Sequence, residues 1–245
     1  MVKIRHHSSL PENNPHSIFP PPPPKNAPVT PSRTIRLILV GDARVGKTSL
    51  LKRFTQHTFS TTSNGQNQDE GELLYTPTIG SDYCKMDFQP NNEVCIRLQI
   101  WDTAGDEKFR YVTGECLRQT QPDGIVLVCT YPSDHKCRDL EENAHRWKNF
   151  IEQFSNQNRQ TPIALFANKV DQLGDQASSH GVCQVVEAGK RIEELCHKLN
   201  VISWFLTSAK EDTNVSEGFH TLLKNVLLSQ GVHFGISASN RNHSG

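Results

Sequence analysis

GDARVGKT, residues 41–48, matches the pattern G-x-x-x-x-G-K-[ST]. In such a loop the glycines let backbone N–H groups surround phosphate oxygens, while Lys47 reaches the terminal phosphates and the Thr48 hydroxyl contacts Mg²⁺. The apolar run IRLILV precedes the loop, and TSLLKRF follows it with helical spacing. The segment therefore predicts a strand, a phosphate-binding loop and a helix.

Four further segments indicate which nucleotide the loop binds. They follow in chain order as Thr78 within TPTIG, DTAG at 102–105, NKVD at 168–171 and SAK at 208–210. A carboxylate at Asp171 can accept two hydrogen bonds from the N1–H and exocyclic amine of guanine, and adenine lacks that pair of donors. NKVD and SAK thus oppose an ATP-dependent enzyme, and the segments together predict a site for GTP and GDP.

These residues resemble the Ras-like small GTPases from about residue 34 to about residue 230. WDTAGDEKFR at 101–110 looks like the second switch of the Rab branch, and TIGSDY at 78–83 looks like the first. The resemblance implies an α/β P-loop fold with a mostly parallel sheet and helices on both faces. It also implies GTP hydrolysis, a role in vesicle traffic, and effector, exchange-factor and GTPase-activating protein partners.

The resemblance also assigns the site residue by residue. Mg²⁺ is assigned to Thr48, Thr78 and Asp102, and catalysis to Lys47, Gly105 and Asp106. The nucleotide-binding set is Gly41, Asp42, Ala43, Arg44, Val45, Gly46, Lys47, Thr48, Ser49, Phe59, Tyr75, Thr78, Gly105, Asn168, Lys169, Asp171, Ser208, Ala209 and Lys210.

Individual roles follow from the same resemblance. The Gly105 N–H is expected to contact the γ-phosphate, and Tyr75 to cover the phosphates. Asn168 is expected to tie the base loop to the phosphate loop, while the Ala209 amide binds guanine O6. Phe59 either packs across the guanine ring or is a core aromatic, and both alternatives remain open. Further expectations are Lys169 along the purine face and Ser208 and Lys210 as braces of the loop.

Asp106 departs from the family pattern, since the family has at this position a glutamine that orients the attacking water. An aspartate can accept a hydrogen bond from water, but it cannot donate to the developing charge and it repels the γ-phosphate. We therefore expect slow intrinsic hydrolysis, with a GTP-locked binding module as the alternative. Arg44 could imitate an arginine finger, although the side chain at that point of the loop usually faces solvent.

Composition predicts a single folded domain with tails. Of the 245 residues, 35% are hydrophobic, and the net charge of zero gives no field that would attract nucleic acid. The domain is expected at 34–230, with an insertion at about 60–74 in the first switch and a flexible tail at 231–245. Residues 1–33 form a proline-rich leader, expected to be disordered.

The leader carries five consecutive prolines at 20–24. It is either a solvated tail or a docking motif for an SH3, WW or profilin-like partner. The last cysteine, Cys196, lies far from the final residues, so no lipid anchor is expected in this sequence. A cytoplasmic protein is expected, with recruitment to membranes through partners as an option.

Apolar patterning predicts the remaining elements. Strands are expected at 84–88, 94–101, 125–129, 163–167 and 202–206, and helices at 140–154, 185–199 and 215–228. The stretch 119–123 is expected to be a harmless insertion at the surface. Trp147, Phe150 and Phe219 are expected to be core residues without a chemical role.

Overall fold

A computed structural model describes residues 31–57, 78–88, 95–132, 137–155, 160–173 and 179–232, with only the backbone described for 173 and 179–188. The predicted insertion at 60–74 and most of the leader and tail lie outside these residues. So do Phe59 and Tyr75, whose predicted roles stay predictions.

The described strands form one six-stranded sheet in the order β2-β3-β1-β4-β5-β6. They are β1 (Arg33–Val40), β2 (Ser81–Phe88), β3 (Ile96–Thr103), β4 (Gly124–Thr130), β5 (Ile163–Asn168) and β6 (Ser203–Thr207). Only β2 runs antiparallel to its neighbour, β3. The prediction of a mostly parallel sheet is confirmed.

Five α-helices belong to the described part of the chain. They are α1 (Lys47–Gln56), α2 (Arg110–Thr120), α3 (Arg138–Phe154), α4 (Ser179–Lys198) and α5 (Val215–Ser229). No helix among the described residues is long and apolar enough to cross a bilayer.

The helices cover both faces of the sheet. Ile38 and Val40 of β1 contribute to one core with side chains of α2, α3 and α4, while Leu37 and Leu39 contribute to a second core with α1 and α5. A strand buried on both faces is apolar on both, which explains the four consecutive apolar residues at 37–40 in β1. The predicted core aromatics Trp147, Phe150 and Phe219 are buried in these cores, as expected.

The region before β4 differs from the prediction. α2 extends to Thr120, and Asp123 is buried with its carboxylate Oδ2 accepting the Arg36 backbone N–H at 2.8 Å. The expectation of a harmless surface insertion at 119–123 was wrong, because the end of this stretch binds the first strand. α2 itself was not predicted, since only Thr113, Gly114 and Leu117 of its residues are buried.

Both ends of the folded region lie slightly outside the predicted range 34–230. β1 begins at Arg33, whose Nη1 donates to Gln230 Oε1 at 3.0 Å. At the other end Gly231 takes a left-handed φ of 75°, and the Val232 N–H donates to the Leu227 carbonyl at 2.9 Å. This closure ends α5 and packs Val232 against the core.

Candidate nucleotide-binding site

The loops that follow β1, β3, β5 and β6 meet because the carboxyl ends of parallel strands share one edge of the sheet. The predicted phosphate loop follows β1, and the second switch follows β3. The NKVD and SAK segments follow β5 and β6. Topology alone thus brings four of the five predicted segments to the same edge.

Two glycines shape the phosphate loop. Gly41 has a φ of 147° and Gly46 a φ of 99°, both disfavoured for residues with a side chain. A Cβ on Gly41 would lie 2.1 Å from the Val128 carbonyl oxygen, and one on Gly46 would lie 2.4 Å from Asn168 Nδ2. The loop therefore crosses directly over the ends of β4 and β5, and only glycine fits at these positions.

Lys47 begins α1 and is only 6% exposed. Its Nζ donates to the carbonyl oxygens of Gly41 at 2.9 Å and Asp42 at 2.8 Å. Burial lowers the pKa of the ammonium to about 8, although the nearby carboxylates of Asp102 and Asp42 oppose that shift. The loop therefore encloses a cation, as a phosphate-binding site requires.

Thr48, Thr78 and Asp102 converge from three separate segments. Thr48 Oγ1 lies 2.5 Å from Asp102 Oδ2 and 3.1 Å from Thr78 Oγ1, and Thr78 Oγ1 lies 3.4 Å from the same carboxylate oxygen. Asp102 is 1% exposed, and burial raises the pKa of its carboxyl. Among the described residues, its Oδ1 has no hydrogen-bond partner.

This cluster has the chemistry that Mg²⁺ prefers. Hydroxyl and carboxylate oxygens are hard ligands, and Mg²⁺ often keeps several waters between itself and the protein. A buried carboxylate oxygen without a protein partner is costly unless a cation or an ordered water satisfies it. The residues assigned to the metal therefore fit that ion.

Gly105 rests directly on the phosphate loop. A Cβ at this position would lie 2.3 Å from the carbonyl carbon and oxygen of Asp42 and 2.4 Å from the Ala43 nitrogen. The preceding Ala104 N–H donates to the Gly80 carbonyl at 2.8 Å, which links the second switch to the segment after Thr78. Both switch segments therefore contact each other beside the phosphate loop.

Asp106 caps a short 3₁₀ turn, Glu107–Phe109. Its Oδ1 accepts the Lys108 backbone N–H at 3.1 Å, and its Oδ2 lies 3.2 Å from Lys108 Nζ. These hydrogen bonds, the backbone one first, lower the pKa of the Asp106 carboxyl. Asp106 is thus anionic at neutral pH and engaged with Lys108.

Asn168 joins the phosphate loop to the SAK segment. Its Nδ2 donates to the Val45 carbonyl at 2.9 Å, and its Oδ1 accepts hydrogen bonds from Thr207 Oγ1 at 3.2 Å and the Ala209 N–H at 3.3 Å. Asn168 is almost fully buried, so these bonds are shielded from water. The contacts correspond to the linking role that was expected for this residue.

Asp171 is braced by the same region. The buried Ser208 hydroxyl donates to Asp171 Oδ1 at 2.6 Å and accepts the Glu211 N–H at 3.0 Å. Lys169 is half-buried with a left-handed φ of 71°, and burial lowers the pKa of its ammonium. The carboxylate assigned to the guanine base therefore has a defined orientation.

The other assigned residues lie around this centre. Ala43 and Arg44 are exposed on the outside of the loop, as expected for Arg44. Val45 is buried beneath the loop, Ser49 is half-buried in the first turn of α1, and Lys210 is exposed.

Arg53 is a further residue of the site that no sequence motif identifies. From α1, its Nε donates to the Ala209 carbonyl and its Nη2 to the Lys210 carbonyl, each at 2.8 Å. The same helix that presents Lys47 and Thr48 to the phosphate site therefore also holds the SAK segment. No sequence signal could have identified this contact, because it depends on α1 lying beside the loop after β6.

Comparison with known proteins identifies the family of this chain. The Ras family model matches residues 36–228. Ras-related protein Rab7 of Drosophila melanogaster is 32% identical over 195 residues, which cover 79% of this chain and 80% of that protein. Ras-related protein RABG3a of Arabidopsis thaliana is 31% identical over 198 residues, covering 80% of this chain and 84% of the relative.

A third relative, Ras-related protein Rab-32 of Mus musculus, is 27% identical over 206 residues, covering 83% of this chain and 80% of that protein. The family match spans the sheet, the phosphate loop, both switch segments and the NKVD and SAK segments. The chain therefore belongs to the Ras family of small GTPases, and within it to the Rab branch.

Proposed function

We propose that this protein is a Rab-type switch that binds GTP and GDP with Mg²⁺ and hydrolyses GTP slowly. The convergence of Thr48, Thr78 and Asp102 carries the proposal, because it joins the phosphate loop to both switch segments at one point. A γ-phosphate at this point can order both switches, and its loss can release them.

Each group at the site has a distinct task in binding. Lys47 and the backbone N–H groups of the phosphate loop hold the phosphates, while Asp171 selects guanine. The Ala209 N–H donates to Asn168 Oδ1 in this structure, so it would exchange that partner for guanine O6 when the base binds. Thr48, Thr78 and Asp102 would hold Mg²⁺, which when bound neutralises charge on the β- and γ-phosphates. Gly105 packs against the loop, and its backbone N–H would sense a third phosphate there.

Asp106 supports slow hydrolysis. Its carboxylate is anionic, so it offers no hydrogen to the charge that develops on the γ-phosphate and repels that group. Its contacts with Lys108 also hold it in a capping role. We infer that a GTPase-activating protein supplies the missing groups in trans, and that effectors and exchange factors contact the switch segments.

The same observation favours a second candidate, a GTP-locked module with negligible hydrolysis. Nucleotide content separates the two: the purified protein is denatured and its released nucleotide identified by HPLC. Bound GDP supports the cycling switch, and bound GTP alone supports the locked module. ATP, or nucleotide-free protein that takes up neither GTP nor GDP, contradicts both.

A second test addresses the metal set. Chelation with EDTA should speed the release of fluorescent mant-GDP, and Thr48→Asn should weaken GTP binding more than GDP binding. Thr55→Asn, at the far end of α1, is the matched control and should retain wild-type release. A rate of mant-GDP release that EDTA does not change would contradict the proposed magnesium site.

A further inference from the structure

The side chain of Asp42, within the phosphate loop, is held by α3. Arg146 Nη2 donates to both Asp42 carboxylate oxygens at 2.7 Å, and Trp147 Nε1 donates to Oδ1 at 2.9 Å. We propose that Arg146 and Trp147 are positioning residues that control how tightly the loop retains nucleotide. The proposal rests on the proposed function, since it concerns the same site.

Asp42 contacts two other groups of the phosphate site, so its position affects them as well. Its carbonyl oxygen accepts a hydrogen bond from Lys47 Nζ at 2.8 Å, and the backbone of Gly105 packs against its carbonyl group. A shift of Asp42 therefore moves both the partner of the phosphate-binding lysine and the surface on which the second switch rests. α3 thus acts on both through Asp42.

The ion pair between Arg146 and Asp42 also changes the charge of the phosphate loop. A carboxylate in a phosphate loop opposes the binding of a polyanion, and the Arg146 guanidinium neutralises it at short range. Arg146 is half-exposed, so water and salt partly screen the pair. Loss of Arg146 should therefore expose the negative charge of Asp42 to the phosphates, and GTP should be affected more than GDP.

The indole of Trp147 is oriented by its neighbours. Its ring lies edge-on to Phe150 at 5.4 Å, and the guanidinium of Arg110, at the start of α2, lies 5.7 Å from the indole centre. These contacts direct the Nε1 hydrogen toward Asp42. They also place the start of α2, which follows the second switch, against the part of α3 that contacts the phosphate loop.

The test measures release of mant-GTP and mant-GDP by stopped flow. Arg146→Gln should speed mant-GTP release about threefold to fivefold, the range expected for a partly exposed ion pair, with a smaller effect on mant-GDP. High salt should reduce the difference from wild type. Arg138→Gln is the matched control, because it breaks an exposed ion pair with Glu142 on the same helix, and it should release nucleotide at the wild-type rate.

A double variant distinguishes loss of the Asp42–Arg146 ion pair from general destabilisation of the fold. Asp42→Asn removes the carboxylate that Arg146 neutralises, so the double variant Asp42→Asn/Arg146→Gln should release nucleotide at the rate of Asp42→Asn alone. Trp147→Phe keeps a buried aromatic ring, removes the donor and should also speed release. Thermal melting of each variant checks that the fold is retained.

Wild-type release from Arg146→Gln, or additive effects in the double variant, would overturn the positioning role while leaving the proposed function intact. Wild-type protein that binds neither GTP nor GDP would overturn the proposed function, and this proposal with it.

Discussion

Asp171 shows how one residue's neighbours prepare it for recognition. The Ser208 hydroxyl donates to its Oδ1 at 2.6 Å, which restrains rotation of the carboxylate. An oriented acceptor pair loses less entropy when it binds the two donors of guanine. Ser208 thus acts through Asp171, in keeping with its expected bracing role.

We predict that Asp171→Asn changes the preferred base from guanine to xanthine, since an amide donates where the carboxylate accepts. Competition of GDP and xanthosine diphosphate against mant-GDP measures the change. Ser208→Ala is the control, and it should weaken GDP binding without changing the base preference. Equal guanine preference in Asp171→Asn and wild type would contradict the assignment.

In the proposed function, Asp106 limits the rate of GTP hydrolysis. Its pKa is lowered by contacts with Lys108, so substitution changes both charge and capping. A glutamine could donate and accept hydrogen bonds at the attacking water, whereas an asparagine removes the charge but retains the short side chain.

Asp106→Gln should therefore raise single-turnover GTP hydrolysis by about tenfold, which corresponds to about 1.4 kcal/mol of transition-state stabilisation. GTP affinity should change little, because the group acts on the transition state. Asp106→Asn separates the two effects and should give a smaller gain. Slower hydrolysis in Asp106→Gln than in wild type would identify Asp106 as the working catalytic group.

At the scale of elements, α1 connects the two halves of the site. Its first turn carries Lys47 and Thr48, and Arg53 lies nearly two turns later. Arg53 holds the carbonyls of Ala209 and Lys210, so the position of the SAK segment depends on the helix that also holds the phosphate-binding residues.

Arg53→Gln should speed release of GDP and GTP to a similar degree, about threefold to tenfold. The reason is that the GDP-bound and the GTP-bound protein both lose the hydrogen bonds from this charged donor. Stopped-flow release of mant nucleotides measures it. Lys52→Gln removes a charge from the adjacent position and leaves both carbonyl contacts in place, so it should match wild type. An effect confined to GTP would place Arg53 with the phosphates and contradict this interpretation.

At the scale of the whole molecule, Phe219 joins three elements of one core. Its ring stacks on Phe54 of α1 at 4.2 Å and meets Phe166 of β5 edge-on at 5.3 Å. The side chain is fully buried in α5. The helix that begins at the phosphate loop is therefore anchored through this aromatic cluster to the centre of the sheet.

Phe219→Ala should lower the free energy of unfolding by about 3–5 kcal/mol, the usual cost of removing a buried phenyl ring. Urea denaturation followed by circular dichroism measures the loss. Lys224→Ala, an exposed position on the same helix, should change stability by less than about 0.5 kcal/mol. A loss below about 1 kcal/mol for Phe219→Ala would show that the cluster can rearrange around the cavity.

The sequence by itself determined the class of the fold. The strands of a parallel sheet buried on both faces are continuous apolar runs, so β1, β4 and β5 were recognisable from residues that are adjacent in the chain. The phosphate loop was recognisable for a similar reason, because its glycines serve a local backbone conformation. α2 was not recognisable, since few of its side chains face the core.

Only the tertiary structure decided which side chains support the site. Asp42 and Arg146 are 104 residues apart in the chain, and Arg53 and Ala209 are 156 apart. Neither pair leaves a periodic or compositional signal, because each contact exists only after the helices have packed against the sheet. Periodicity reports which face of one element is buried, whereas these contacts depend on the relative positions of two elements.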